Sequence, residues 1–336
     1  MRVAVPLTLS APLHACRGDE RIEVLRGPTM GTSWCAKLVA PSDRPLAPIQ
    51  EGIEHCLDRV VAQMSTWEPH SDVTRFNRAS AGSWQALPDE CFSVLTHAID
   101  VARDTAGAYD PTVGPLVDLW GFGPARRPAA RPSRAAIASA RARIGWDRLT
   151  LDAERRRVCQ PGGADLDFSA IAKGFAVDLI ARFLREAGID NHLVEIGGEL
   201  RGHGTKPDGT PWWVALEHPP RSPEDPVTAL DVVVALHELS VATSGDYRRA
   251  FEAEGRRYSH TIDPRTGWPV AHRLASVTVL HEACMIADAL ATALMVLGPA
   301  AGRAYADRHG IAALFIEREP TGLVEHTSAA FLALLT

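Results

Sequence analysis

Several signatures are missing from this sequence, and each absence closes a function class. None of the six cysteines (Cys16, Cys35, Cys56, Cys91, Cys159, Cys284) is spaced as C-x-x-C, which argues against a paired-thiol redox site or a zinc knuckle. There is no G-x-S-x-G, no H-E-x-x-H and no full G-x-G-x-x-G after a strand, so serine hydrolase, zincin and Rossmann dehydrogenase lose their usual marks. Positive charge is not in excess: 35 Lys and Arg against 41 Asp and Glu leave a net charge of -6, which argues against broad nucleic-acid binding. A small anionic ligand stays open, because a metal or a local Lys can supply the positive charge. Internal repeats, heptads and low-complexity blocks are also lacking. What remains is ordinary for a globular chain: 336 residues, 46% hydrophobic and 23% charged, enough for one large domain or two smaller ones.

Long apolar runs are scarce too, which makes the one at Ala283 to Leu297 conspicuous. It reads ACMIADALATALMVL, and only Asp288 and Thr292 break its apolar and small-residue character. Gly298-Pro299 is a helix stop signal, and a helix of this length is too short to cross a bilayer. A helix apolar all round is a buried one. A carboxylate inside it costs several kcal/mol, roughly, unless it is compensated. Asp288 and Thr292 share one face, about one turn apart. Two oxygen groups on a dry face suit a hard cation such as Mg²⁺. They suit equally an Asp that caps a loop or pairs with a buried Arg, beside a Thr bonded to its own backbone.

The rest of the chain mixes strands and helices without βαβ alternation, which predicts an α+β fold. Strands are expected at Ile22 to Leu25, Trp34 to Val39, His192 to Ile196, Trp212 to Glu217, Ala229 to Leu236, Ser276 to His281 and Ala312 to Glu317. Arg257 to Ile262 and Trp268 to Val270 should flank a tight turn at Asp263-Pro264-Arg265-Thr266-Gly267. Helices are expected from Pro48, from an Asp89 cap, from a Ser133 cap and from Ser169. Pro124 to Arg134 reads as a surface excursion. Residues 1–26 form an N-terminal segment and 27–336 the main domain. Arg2 followed by the apolar stretch to Leu13 and by Cys16 loosely resembles a lipoprotein signal, but Pro6 and Pro12 interrupt it. An uncleaved strand and a cytoplasmic location are preferred; the alternative is a periplasmic lipoprotein anchored at Cys16, and membrane contact is expected only with Cys16 lipidated.

Four further features bear on chemistry. Asp165 to Gly174 runs from a strand end into a helix start, where free N–H groups and the helix dipole favour an anion. Lys173 in that first turn opposes the dipole, a conflict a phosphate would relieve; the plain alternative is a Ser169 cap and a solvated lysine. Gly197-Gly198 permits close approach of a ligand or another strand, or forms a simple bulge. His260 is a lone histidine late in a strand, and Trp67 and Trp120 could stack on a flat ring or fill the core. Together these point to a Mg²⁺-dependent enzyme acting on a phosphate-bearing, ring-containing ligand.

The ordered motifs Met30-Gly31-Thr32, MSTWEPHSDVTRFN from Met64, AYDPTVGPLVDLWGFG from Ala108, DFSAIAKGFAVD from Asp167, VEIGGELRGHG from Val194, ATSGDYR from Ala242, YSHTIDPRTGWPV from Tyr258 and MIADALATALMVLGP from Met285 resemble those of the ApbE family, the FAD:protein FMN transferases. The resemblance implies a T-fold-like α+β architecture, with mixed and antiparallel sheets and a FAD cleft. It implies Mg²⁺-dependent transfer of FMN from FAD to a Thr or Ser hydroxyl of a target flavoprotein, with AMP released. FAD would meet Met30, Ala108, Tyr109, Asp110, Asp167, Lys173 and the strand His260, Thr261, Ile262. The metal would be held by Asp288, Thr292 and the backbone oxygen of Ala170. Trp67 departs from the Tyr frequent in the family, and its ring would stack on FAD. His260 is the candidate proton acceptor. The alternatives are a FAD pyrophosphatase, with water as the nucleophile, and a non-catalytic flavin-binding or carrier protein.

Overall fold

Along Thr32–Pro41 every second residue is buried, Trp34 (1% exposed), Ala36, Leu38 and Ala40, and Val39 is buried on the opposite face. Such a period of two sets one face of a strand against a core. A computed structural model describes residues 2–5, 19–124, 130–219, 228–247, 250–253, 256–320 and 322–335. Cys16 lies outside the described residues, as do residues 125–129 of the expected surface excursion. Thr32–Pro41 sits in an eight-stranded sheet. The order is Gly322–Thr327, Ala312–Glu319, Leu274–His281, Leu239–Gly245, Glu199–His203, His192–Ile196, Thr32–Pro41 and Glu20–Thr29. Every pairing in it is antiparallel. Glu20–Thr29 runs through residues 26 and 27 without interruption.

One face of the sheet carries the helices Ala47–Met64, Asp89–Asp104, Ala172–Glu186 and Cys284–His309 over the main core. The other face meets a three-stranded sheet, where Arg2–Ala4 pairs parallel with Thr228–Leu236 and Trp212–His218 pairs antiparallel with it. Val39, Leu193, Val241, Leu280 and Leu314 fill the second core between them. The architecture is α+β, as the irregular order of elements predicts.

Three helix boundaries bear on the sequence expectation. First, the apolar helix breaks at Gly298, as its Gly-Pro signal predicts: Gly298 takes a non-helical φ of 81°, and a second helical stretch continues beyond the kink to His309. Pro299 has no N–H for the carbonyl of Met295, and Nε2 of His272 takes that oxygen instead at 2.7 Å. The whole 26-residue element is long and apolar enough to cross a membrane, yet 67% of its apolar window is buried inside the fold. Second, Ser169 is exposed and does not cap: the helix begins at Ala172, and the Asp167 carboxylate accepts from the Ser169 N–H at 2.8 Å. Third, Asp89 is the first residue of its helix, with Pro88 at the cap. Gly197-Gly198, with φ 59° and 103°, is a two-residue hairpin turn into Glu199–His203 rather than a bulge, and another strand does come close there: the Gly197 N–H donates to Ser33 O at 3.2 Å.

Beyond that turn the hairpin stacks His192 on His203, with ring centroids 5.4 Å apart. The His192 ring contacts the carbonyl of Ile189 through Nδ1 at 2.9 Å, while buried Nε2 has no partner. Burial, chiefly, pushes its pKa down to about 4. A base depressed below its unfolded value resists the proton that the unfolded chain accepts, so stability falls as pH drops from 6.5 towards 4. The loss amounts to about 3 kcal/mol at the acid end, at ~1.4 per pKa unit. Urea unfolding of His192→Leu and wild type between pH 7 and 4 should show the wild type losing stability faster by about that amount. A difference that does not change with pH would reject the buried neutral imidazole.

Candidate active site

The helices Ala172–Glu186 and Cys284–His309 meet at their N-termini, and each lends the other a carboxylate. Asp178 accepts from the N–H of Cys284 at 3.1 Å and of Met285 at 2.9 Å. Asp288 accepts from the N–H of Gly174 at 3.1 Å. The approach is close enough to demand glycine: a Cβ on Gly174 would lie 2.4 Å from the Cys284 carbonyl oxygen. Ala283, at the cap of the apolar helix, offers no side-chain oxygen, so Asp178 takes that role from outside.

The hairpin completes the junction. Glu199, just past the Gly197-Gly198 turn, lies 2.5 Å from Nζ of Lys173, and Arg201, two residues on, lies 2.5 Å from Asp178. Asp288 is 5% exposed, and burial raises its pKa above the usual carboxylate range against the pull of Lys173 and the Gly174 N–H. For Lys173 burial works against the charge, but Glu199 and Asp288 outweigh it and keep the ammonium above its ordinary value. Among the described residues no guanidinium balances Asp288. Thr292, one turn further along, shares a hydrogen bond of 2.9 Å with Ser244. Ala170 lies half-buried in the turn that opens the Ala172–Glu186 helix.

Tyr109 stands against this junction. Its hydroxyl is buried and makes no hydrogen bond, and burial together with the charges of Asp288, Asp167 and Asp110 pushes its pKa well above 10. Ala108 beside it is 1% exposed. Asp110 is engaged: Oδ1 accepts from the Thr112 N–H at 2.8 Å and hydroxyl at 2.6 Å, Oδ2 from the Trp146 N–H at 3.2 Å. Burial still raises its pKa. Asp167 lines a hollow of ≈ 210 Å³ with Thr66, Asn77, Arg78, Asp118 and Asp165. Met30 forms the tip of the Glu20–Thr29 hairpin with φ 46°, a left-handed conformation rare outside glycine. That tip is tied to the junction, since Thr32 lies against Gly197.

Trp67 is 62% exposed on a loop that is held firmly. The hydroxyl of Ser71 donates to Ser65 O at 2.6 Å and that of Thr74 to Glu68 O at 2.9 Å, while Arg78 binds Pro69 O at 3.1 Å. The other expected platform, Trp120, is a core residue: fully buried, its Nε1 donates to Gly267 O at 3.0 Å, and its ring packs on Tyr258 and Trp268. His260 and Thr261 sit between two short strands rather than within one. The His260 ring meets Phe122 edge-on at 6.2 Å, and Ile262 packs into the Trp120 cluster.

Lys173 and Asp288 interact at the junction, the charges of Asp288 and Asp167 act on Tyr109, and Thr292 lies one turn from Asp288, whereas Met30 packs on the main core and His260 and Ile262 belong to the aromatic cluster. Among the described residues no three His, Cys, Asp or Glu side chains converge as a metal cage, so any ion here relies on neutral oxygens besides Asp288. The sequence reading missed Asp178, Glu199 and Arg201. Glu199 carried the only local hint, a charge directly after a Gly-Gly pair.

The family profile described as ApbE family matches residues 30–315. The chain belongs to the ApbE family. It is 38% identical to the FAD:protein FMN transferase of Haemophilus influenzae, over 98% of this chain and 95% of that one. It is 40% identical to the FAD:protein FMN transferase of Vibrio cholerae, over 96% of each chain. The apo crystal structure of the Pseudomonas stutzeri flavinyl transferase ApbE superposes with a TM-score of 0.84 at 43% identity, covering 94% of this chain and 97% of that one. This ApbE-family chain is therefore a transferase, and the helix junction is its candidate centre. The close helix approach gives a direct check. Gly174→Ala should destabilise the protein by about 1–3 kcal/mol through overpacking. Thermal melting measures it, and an unchanged melting temperature would show that the junction is looser than described.

Proposed function

We propose that the chain moves FMN from FAD to a Thr or Ser hydroxyl of a target flavoprotein, with Mg²⁺ bound and AMP released. The observation that carries this reading is Asp288, a buried carboxylate without a guanidinium partner, set between a helix N-terminus and the Lys173 ammonium. The names of the relatives support the flavin and the protein acceptor. The metal fits the oxygen groups of the junction, while the Thr or Ser hydroxyl and the release of AMP are what the resemblance of the motifs to the ApbE family implies.

A hard divalent cation takes oxygen ligands, and oxygens are what the junction offers: the Asp288 carboxylate, the Thr292 hydroxyl and the Ala170 carbonyl. The orphaned Tyr109 hydroxyl and the acids around it make the same region hospitable to a cation. Bound there, Mg²⁺ would supply charge neutralisation to the pyrophosphate. The chain's own groups do the rest. Lys173, oriented by Glu199, holds phosphate oxygens. Trp67 offers an exposed indole on a fixed loop for stacking. Met30, Ala108, Tyr109, Asp110 and Asp167 wall the FAD site, and His260, Thr261 and Ile262 complete it. The acceptor hydroxyl oxygen forms a new bond to the FMN phosphorus as the bond from that phosphorus to the AMP oxygen breaks. The hydroxyl proton passes to a base, for which His260 is the proposed group.

The reading is tested by co-expressing the enzyme with candidate flavoproteins and seeking an FMN adduct on Thr or Ser by mass spectrometry. Asp288→Ala should lower AMP release from FAD with Mg²⁺ by roughly a hundredfold or more, the scale of losing a key electrostatic group. Near-normal turnover would refute the metal assignment. Rapid release of free FMN without an acceptor would favour hydrolysis, and FAD binding that never yields AMP would favour a carrier. Trp67→Ala should weaken FAD binding roughly tenfold, the worth of one stacked ring, and leave melting unchanged because the side chain is largely exposed. Flavin fluorescence titration measures the first effect; equal affinities would remove Trp67 from the site.

A further inference from the structure

Glu20–Thr29 is the last strand of the eight, and among the described residues no further strand pairs with it. Its ten residues keep an unbroken register with Thr32–Pro41, from Glu20 opposite Pro41 to Thr29 opposite Thr32. In a two-residue hairpin the flanking pair exchanges both hydrogen bonds, and every second pair repeats this. Arg21, Glu23, Leu25, Gly27 and Thr29 therefore bond inward. Ile22, Val24 and Arg26 turn their N–H and C=O groups away from the sheet. Pro28 falls in the same outward set, where a missing N–H leaves the ladder intact, as expected of proline on an edge.

Proteins guard such edges with bulges, short strands or charges, because a bare edge is a template for another chain. Here the middle of the edge is open. Ile22 is 40% exposed and Val24 43%, and the register carries no bulge. Arg26 and Lys37 share their face and are exposed, so the surface is apolar with positive charge beside it. The strand also leads somewhere: its end is the Met30 turn, Thr32 beyond that turn touches Gly197, and Glu199 two residues on holds Lys173.

We infer that this edge is the docking rail for the acceptor protein. An extended segment of the acceptor adds as a ninth strand beside Ile22, Val24 and Arg26, and so delivers its hydroxyl residue past Met30 to the junction. Main-chain hydrogen bonds supply the affinity and alternate side chains the selectivity, as in other strand additions. The favoured segment has apolar residues at alternate positions and an acidic residue opposite Arg26 or Lys37. At about 3.3 Å per residue the rail from Ile22 to Thr29 spans roughly 23 Å, room for a strand of ordinary length. The inference rests on the proposed transfer to a protein hydroxyl and adds the mode of recognition.

The test uses the full-length enzyme and, as probe, the flavoprotein that carries the FMN adduct when co-expressed with it. Val24→Pro removes one outward N–H without touching the inward ladder. The pair Ile22→Lys with Val24→Lys changes only exposed side chains and keeps the test valid should the proline variant fold poorly. Both should raise the KM for the acceptor at least tenfold, while FAD affinity by flavin fluorescence stays within twofold of wild type. An acceptor KM within twofold of wild type for the lysine pair overturns the docking rail, with the transfer reaction still standing. Failure of the wild type to modify any acceptor overturns both.

Discussion

Two helices that exchange carboxylates at their first turns form the constraint on which the site depends. Asp178 satisfies the N–H groups of Cys284 and Met285, and Asp288 satisfies that of Gly174. Each bond ties a negative charge to a helix end that carries partial positive charge, so the dipoles of both helices contribute. The exchange fixes where Asp288 points and forces the chains so close that only glycine fits at 174. Neither carboxylate can be lost without leaving helix N–H groups unpaired in a largely buried place, and such groups are expensive, at about 1–3 kcal/mol each.

The hairpin His192–Ile196 and Glu199–His203 extends the same logic to the sheet. Glu199 and Arg201 lie on one face, two residues apart, and reach Lys173 and Asp178. Opposite charges are thus paired in a short row: Glu199 with Lys173, Lys173 near Asp288, Arg201 with Asp178. Asp288 is the member held least firmly, with a single N–H donor and a neighbouring ammonium that Glu199 already engages. A buried network with one incompletely compensated acid is a poor stability device and a good place to bind a cation. This is why the charge pattern, rather than a hollow in the surface, points to the candidate centre. The hollow beside Asp167 meets the proposed site through that residue.

Parts of this were legible in the sequence for a definite reason. Asp288 showed because it is a charge within an apolar run, and the run declares its own burial. The antiparallel strands showed because period-two patterns are local. Asp178 did not, since it caps a helix more than a hundred residues away, and a surface-like acid on an amphipathic helix carries no mark of that duty. Trp67 and Trp120 lie in similar turn-rich contexts, yet one is mostly exposed and the other sealed under Tyr258 and Trp268; burial of a loop residue is decided by packing from distant segments. Gly298-Pro299 did announce the break, since Gly298 leaves the helical conformation, but not the second helical stretch that follows it. A stop signal is a statement about local hydrogen bonds, and His272, remote in sequence, replaces the bond that Pro299 cannot make.

The position of Met30 links the sheet edge to this centre. A non-glycine residue at φ 46° is strained, at a cost of order 1 kcal/mol, and strain of that kind persists only where surroundings over-determine it. Here the surroundings are the ten-residue ladder on one side and the main core, against which Met30 packs, on the other. The two-residue hairpin itself calls for φ > 0 at both central residues, and Gly31 at φ 72° supplies the second. A turn fixed in this way sets the distance between the end of the open edge and Lys173, through Thr32, Gly197 and Glu199. Phosphoryl transfer depends on positioning more than on any single group, because misplacement by about 1 Å can cost ~100-fold in rate. A hairpin tip fixed in this way, between the proposed rail and the lysine proposed to hold phosphate, is the kind of element that such positioning requires.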